Sequence, residues 1–404
     1  MRMLYRWLME FTFIGLILSD LFGIKELGLF DELMGILFFI LALLNIFERR
    51  GKIEDKTTKY MILCMIGMGI IGLCGNFIYP IQNDYKVGLY GMYLLLKQYI
   101  FGLYLFLSAE KMVTNRLYLF FQRISKIMLF VLFVCSCLNL ILDVGMRGPN
   151  GEFSFFAQFG GTVGCWIILF LAICYSDLKS NRLFWFIIAT ITMFQSQSDL
   201  GILGIGMLVL IYIYLEKQKH FHWYYMIPIA LVGILISWKE VSMYLLDSTA
   251  PRAELFIYSF VTAYRYFPIG AGFSTYASSM AVTNYSQLYY IYGFNNQFGM
   301  SKDNAYYLMD SYYPMIFGEL GVLGTIVFSV MLWCILKRII GISNRYIKNS
   351  ILYLFVFLLI AGLGFGTGSS WGCAVYMLIP LKIIEGNKLQ NKRQYFNVKG
   401  EKNK

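Results

Sequence analysis

The chain has 404 residues, of which 58 % are hydrophobic and only 14 % are charged, and its mean hydropathy is +0.62. Soluble domains carry about 25 % charged residues, so the composition excludes an ordinary soluble protein and predicts a membrane protein with many crossings. The formal net charge of +11 would suit nucleic-acid binding, but the sequence has no basic stripe within a recognisable binding fold.

Apolar runs that are long enough to cross a bilayer, or nearly so, recur along the chain and predict about twelve transmembrane helices. The predicted spans are 7–23, 32–47, 60–80, 88–108, 127–144, 157–175, 183–197, 199–215, 223–238, 314–336, 351–368 and 370–385. Three of them (32–47, 183–197 and 370–385) are short, and we expect them to be tilted, extended or partly re-entrant. The predicted fold class is an all-α polytopic membrane protein.

The basic residues fall mainly in alternate loops. With the N-terminus inside, 26 of the 34 Lys and Arg residues lie on the inner side and 7 on the outer side. This split follows the positive-inside rule and predicts that both termini are cytoplasmic. The positive net charge is then explained by the membrane topology and does not indicate an anionic ligand.

One outer connection, residues 239–313, is much longer than the others. It is rich in Tyr, Phe and Gly and poor in Lys, Glu and Pro, a composition that argues against disorder. We therefore expect a folded, partly helical outer cap between the ninth and tenth spans. The predicted domains are spans one to nine (1–238), the outer loop, spans ten to twelve (314–385) and a basic cytoplasmic tail (386–404).

Within this loop, residues 250–276 read "APRAELFIYSFVTAYRYFPIGAGFSTY". The sequence predicts an interfacial amphipathic helix that begins near Pro251 and is ended by Pro268. Gly270 and Gly272 follow. A Gly-x-Gly turn exposes backbone N–H groups, which can bind an anion.

The two arginines of this loop, Arg252 and Arg265, are thirteen positions apart. The planar guanidinium group suits phosphate and pyrophosphate. Two other roles remain open for them: contact with lipid headgroups, or contact with a helix end, which applies especially to Arg265 near the predicted C-terminus.

A second segment, 310–324, reads "DSYYPMIFGELGVLG". Asp310 lies just outside the tenth span, where it could also be an ordinary helix-start acid. Glu319 lies about two helical turns deeper. Because intramembrane carboxylates are costly and usually face a polar interior, we expect Glu319 to have a structural partner such as Lys97 or an outer Arg.

These two segments resemble the bacterial O-antigen ligase and polymerase superfamily. Its members share an Arg, then Pro with a Gly-x-Gly-Phe turn, then a polar pair and Glu-x-Gly-x-x-Gly entering a membrane helix. The resemblance covers mainly residues 249–324 and the overall topology. The matching elements here are Arg252, "FPIGAGF" (267–273), Asp310–Ser311 and "ELGVLG" (319–324).

The chain departs from the family pattern at two places. Ligases carry His-Asn where this chain has Asp310 and Ser311, which favours a polymerase. The family often has Ser-Arg in the short outer loop before the eighth helix, where Gln197 stands in the Arg position. Three basic residues are candidates to replace that charge: Lys302, Arg147 and Lys239.

The resemblance implies polymerisation of undecaprenyl-pyrophosphate-linked oligosaccharide units into capsular polysaccharide or O-antigen, at the outer face of a bacterial plasma membrane. Arg252 would hold the leaving pyrophosphate, and Asp310 would accept the proton of the attacking hydroxyl, with Asp303 in reserve. The other predicted substrate-binding residues are Arg265, Gly270, Gly272, Lys302, Gln197 and Tyr312, an aromatic residue that could stack on sugars.

No cofactor or metal is expected. The expected partners are the lipid-linked oligosaccharide, membrane lipid, and chain-length-regulating and flippase proteins, but no nucleic acid. Two alternatives stay open. A ligase of the same superfamily would transfer finished glycan, and a lipid-linked glycan flippase or transporter would need charge inside the spans, where only Lys97 lies deep.

Overall fold

The computed structural model describes residues 2–48, 53, 55–108, 114–142, 144–157, 159–177, 181–217, 231, 250–342, 344–364 and 370–379. Over these residues the fold is all-helical, with two isolated β-bridges and no strand. The α-helices are α1 (Arg2–Leu21), α2 (Phe30–Glu48), α3 (Lys56–Ile78), α4 (Tyr85–Ser108), α5 (Thr114–Leu142), α6 (Gly160–Tyr175), α7 (Arg182–Ser196), α8 (Asp199–Lys217), α9 (Pro251–Arg265), α10 (Ser279–Thr283), α11 (Gln287–Ile291), α12 (Tyr312–Ile340), α13 (Arg345–Ala361) and α14 (Ser370–Leu378).

Five of these helices, α2 to α5 and α12, are long and apolar enough to cross a membrane. The chain is therefore an α-helical membrane protein. Eleven of the twelve predicted spans overlap a described helix in position, whereas 223–238 lies outside the described residues except for residue 231. The predicted short spans 183–197 and 370–385 correspond to helices of 15 and 9 residues. The number of crossings stays a prediction.

Two helices form the centre of the bundle. α6 is buried along almost its whole length and contacts α5, α7, α8 and α13. The second half of α4 is equally buried, between α2, α3 and α14. Helices that are hydrophobic all round are typical of such interior positions, which explains why neither segment shows an amphipathic pattern.

Helices α3 and α12 pack against each other and run antiparallel. Asp55, which caps the N-terminus of α3, pairs with Arg338 in the last turn of α12. At the opposite end, Gly75 of α3 and Gly321 of α12 both approach the backbone of one turn, residues 270–272. The bundle therefore has two distinct ends.

Residues 250–311, here called the cap segment, contain α9, α10 and α11 and a hydrophobic core that is separate from the bundle core. Aromatic residues dominate this core, and their hydroxyl groups have partners. The hydroxyl of Tyr276 donates to the carbonyl of Leu255 at 2.7 Å, and that of Tyr285 donates to the carbonyl of Met300 at 2.9 Å. Most of the buried tyrosines of this segment therefore stabilise the fold.

Candidate active site

The first turn of α9 meets the start of α12. Pro251 occupies the first helical position of α9, where its fixed φ suits the helix and its missing N–H costs nothing. Arg252 follows and extends toward Asp310, which lies two residues before α12. Further along, α9 packs on α12, where the rings of Phe260 and Phe317 stack at 5.0 Å.

Arg252 and Asp310, 58 residues apart in sequence, form an ion pair with 3.2 Å between Nη2 and Oδ2. The exposed fractions of the two side chains are 25 % and 29 %. The guanidinium group also lies beside Gly364, where an added methyl group would be 3.5 Å from Nη1. Both residues that the sequence assigned to catalysis are therefore brought together at one place.

Three hydrogen bonds fix this end of α12. The backbone N–H of Asp310 donates to the carbonyl of Tyr307 at 3.2 Å. The hydroxyl of Ser311 donates to the carbonyl of Leu363 at 2.9 Å, and the N–H of Tyr312 donates to the carbonyl of Gly362 at 2.9 Å. The Asp310 carboxylate is thus mounted on a rigid junction between α12 and the end of α13.

Two influences act on the acidity of Asp310. Partial burial raises the pKa of its carboxyl group, because the charged form loses solvation, and the adjacent Arg252 guanidinium opposes that rise. The net direction is upward. A carboxylate whose pKa lies above its ordinary value is a better proton acceptor, as a general base requires.

The ion pair lines a cavity of about 520 Å³, within the ~300–1,000 Å³ typical of small-molecule sites. Its walls come from the start of the cap segment (251–254) and from its last part (297–310). The lining residues are Pro251, Arg252, Glu254, Gln297, Phe298, Tyr307 and Asp310.

Sequence reasoning did not assign Glu254, Gln297 or Phe298 to the site. Two weak signals were present: Glu254 follows Arg252 by two residues, and Phe298 is an aromatic residue inside the polar run "NNQFGMSKDN".

The Gly-x-Gly turn does not present free N–H groups. The N–H of Gly270 donates to the carbonyl of Tyr266 at 2.9 Å, and the N–H of Gly272 donates to the carbonyl of Glu319 at 3.0 Å. Both glycines have positive φ and are buried against neighbouring backbone. The turn therefore joins the cap segment to α12, and its geometry gives the predicted anion-binding role no support.

Glu319 is 1 % exposed and acts as the centre of this junction. Its Oε1 accepts from the N–H of Thr275 at 3.1 Å, from the N–H of Tyr276 at 3.3 Å and from the hydroxyl of Ser278 at 2.6 Å. This geometry fits the structural role expected for Glu319, but its partners are backbone N–H groups and a hydroxyl group, not Lys97 or an outer Arg.

Lys97, one of the expected partners of Glu319 beside an outer Arg, instead pairs with Asp31 of α2. The partner of Glu319 cannot be deduced from the sequence, because a buried carboxylate can accept hydrogen bonds from backbone N–H groups as readily as from a cationic side chain.

The remaining predicted residues lie outside the cavity lining. Arg265 ends α9, about 20 Å from Arg252 at ~1.5 Å rise per residue, and its guanidinium group lies over the ring of Tyr266. Tyr312 is buried and hydrogen-bonded to Gln98 and Tyr99 at 3.0 Å, so it faces the bundle.

Lys302 and Asp303 are exposed in the turn closed by the Ser301–Asn304 bridge. Gln197 is exposed at the C-terminal cap of α7, where its φ is 47°. Of the proposed replacement cations, Lys239 lies outside the described residues. Arg147 donates to the backbone carbonyl of Asn139 at 3.3 Å, in the connection between α5 and α6.

In the described part of the chain, no group of three or more His, Cys, Asp or Glu side chains lies close enough to hold a metal ion. Compared with known proteins, the chain matches no protein-family model and no curated protein.

Proposed function

We propose that this chain polymerises oligosaccharide units carried on undecaprenyl pyrophosphate at the outer face of a bacterial plasma membrane. In this proposal the chain crosses the membrane twelve times, both termini are cytoplasmic, and the cap segment covers the outer end of the bundle. The product is capsular polysaccharide or O-antigen.

One observation carries the proposal: Arg252 and Asp310, a cation suited to pyrophosphate and a carboxylate with a raised pKa, line the same cavity 3.2 Å apart. A glycosyl transfer from a lipid pyrophosphate requires a cationic group for the leaving group and a base for the attacking hydroxyl. The cavity lining contains both kinds of group.

The proposed reaction proceeds as follows. The acceptor hydroxyl oxygen bonds to the anomeric carbon of the donor glycan while the bond from that carbon to the pyrophosphate oxygen breaks. The hydroxyl proton passes to the carboxylate of Asp310. The bonding electron pair leaves with the pyrophosphate, whose added negative charge is stabilised by Arg252.

Substrate binding and base activation are coupled in this scheme. A pyrophosphate carries more negative charge than a carboxylate and offers the guanidinium group a bidentate partner. Its arrival therefore competes with Asp310 for Arg252. Loss of the ion pair removes the influence that lowers the pKa of Asp310, so the base becomes stronger when the donor is bound.

The test is the length distribution of surface glycan on a gel, in cells that produce matched membrane levels of each variant. We expect the gene deletion to leave single units, and Asp310→Asn and Arg252→Ala to abolish long chains. Glu26→Gln and Lys86→Ala, two exposed charges at the same end of the bundle, should leave the ladder unchanged. Long chains that fail to reach their final acceptor in the deletion strain would instead indicate a ligase.

A second candidate, a lipid-linked glycan flippase, is favoured by one observation. Asp31 of α2 and Lys97 of α4 form a buried ion pair within the helices, and charges inside a bundle often mark a transport path. If this function holds, the deletion strain will accumulate lipid-linked units on the inner face, and Asp310→Asn will have little effect.

A further inference from the structure

Glu254 occupies the cavity with an unused acceptor. It lies in the first turn of α9, where an acid can interact with the exposed N–H groups of the helix. Its Oε2 atom is buried, however, and accepts no hydrogen bond from any described residue. A buried carboxylate oxygen without a donor costs free energy, so a rotation of the carboxylate that brings this oxygen to a donor on a molecule in the cavity is favourable.

Phe298 presents its aromatic side chain to the same cavity as the first turn of α9. Phe298 is 81 % exposed although it lines the cavity, and its ring centroid lies 6.5 Å from that of Tyr307. Gly299 has φ of 75°, and a side chain there would collide with the ring of Tyr307. The N–H of Tyr307 donates to the carbonyl of Gly299 at 2.9 Å, so the backbone beside Phe298 is fixed before any ligand binds.

The chemistry of these groups suits a neutral, hydroxyl-rich ring. An exposed aromatic face packs on the C–H face of a sugar through dispersion. The amide of Gln297 can both donate and accept, and the carboxylate of Glu254 can only accept. The Glu254 carboxylate also repels other anions, so a negatively charged phosphate group is directed to Arg252. An uncharged sugar ring is directed to Glu254 and Phe298.

We propose that Glu254, Gln297 and Phe298 form a monosaccharide subsite that reads the sugar attached directly to the pyrophosphate. This inference rests on the proposed function for the identity of the phosphate carrier. Glu254 accepts a hydrogen bond from a hydroxyl or acetamido N–H of that sugar, and Phe298 packs on its ring. The subsite thus selects which glycan unit the cavity admits.

The experiment measures binding of water-soluble probes to the full-length protein in nanodiscs by calorimetry. The probes are inorganic pyrophosphate and the 1-phosphates of glucose, galactose and N-acetylglucosamine. We expect at least one sugar phosphate to bind tighter than pyrophosphate. Glu254→Gln and Phe298→Ala should each weaken that probe about tenfold, equivalent to ~1.4 kcal/mol, while neither variant weakens pyrophosphate binding.

Matched controls separate recognition from misfolding. Phe298→Tyr keeps the ring and should keep the preference, whereas Tyr306→Ala removes a 76 % exposed aromatic side chain of the same segment that is not in the lining. Arg252→Ala should weaken all probes. The inference is overturned if no sugar phosphate binds better than pyrophosphate, or if Glu254→Gln retains the preference.

The proposed function can fail separately from the subsite. If the deletion strain still makes long glycan chains while Glu254→Gln abolishes sugar preference in nanodiscs, the subsite stands and the polymerase assignment falls. If glycan length depends on Arg252 and Asp310 while Glu254→Gln binds every probe normally, the polymerase assignment stands and the subsite falls.

Discussion

The carboxylate of Asp310 is subject to two opposed influences, and they make its protonation a measurable property of the site. Burial raises its pKa, and the guanidinium group of Arg252 lowers it. A base must be ionised to act, so activity is lost as the pH falls through the pKa of Asp310. Removing the positive charge disfavours the carboxylate and moves that pKa upward.

We therefore expect Arg252→Gln to shift the acid limb of the pH–rate profile to higher pH, and Arg252→Lys to leave the limb near its wild-type position. The measurement is kcat/KM for addition of a single glycan unit by reconstituted protein, which reports the pKa of Asp310 before the donor displaces the ion pair. It is made between about pH 4 and 8, a range chosen to bracket an acid near its ordinary pKa and a raised one. If the acid limb of Arg252→Gln lies at the same pH as that of the wild type, a group other than Asp310 is the base.

At the scale of elements, the junction between the cap segment and the bundle depends on close backbone approach. The turn 270–273 lies in a notch between α3 and α12. Asn76 of α3 binds Phe273 at both ends, accepting from its N–H and donating to its carbonyl, each at 2.8 Å. A methyl group at Gly75 would lie 2.7 Å from the backbone nitrogen of Gly272, so the helix and the turn could not both keep their positions.

We expect Gly75→Ala to destabilise the protein by ~1–3 kcal/mol, the usual cost of overpacking, because the collision is with backbone and cannot be relieved by a rotamer change. Gly67→Ala on the same helix is the control, since its methyl group would meet only a side-chain atom of Val327 at 3.5 Å. Thermal unfolding in detergent should show a lower midpoint for Gly75→Ala alone. Equal midpoints would contradict the tight junction.

This junction also shows where sequence reasoning succeeds and where it stops. Apolar runs predicted the positions of the long helices because a membrane imposes length and hydrophobicity on each segment independently. The glycines of 270–272 and of "ELGVLG" stand out as motifs, yet nothing local reveals that Gly270 lies against Gly321. Asn76 is a polar residue in the predicted span 60–80, and such a residue is a local sign that a helix receives a polar partner.

The candidate site divides in the same way. Arg252 and Asp310 were predicted from the resemblance and are brought together. Tyr312 is expected to bind substrate because an aromatic ring can stack on sugars, but its side chain points into the bundle, where its hydroxyl is hydrogen-bonded to Gln98 and Tyr99. Glu254 and Phe298 reach the cavity only through tertiary folding of the cap segment.

At the scale of the whole molecule, the two ends of the bundle differ in a way that bears on topology. At the end where Asp55 meets Arg338, the described helix ends carry Lys56 at the start of α3 and Lys337 and Arg338 in the last turn of α12. The cap segment and the candidate site adjoin the other end, since the turn 270–273 contacts the last turns of α3. A single orientation in the membrane then fixes on which side the proposed chemistry occurs.

The positive-inside rule predicts that the cap segment is extracellular, and single cysteines can test this. The background should lack all eight native Cys, because Cys74 is exposed. Lys302→Cys, in the cap segment, should react with a membrane-impermeant maleimide in intact cells. Lys56→Cys, exposed at the start of α3, should react only after permeabilisation. The reverse pattern would put the cavity in the cytoplasm, where polymerisation at the outer face is impossible, and would overturn the proposed function without affecting the fold.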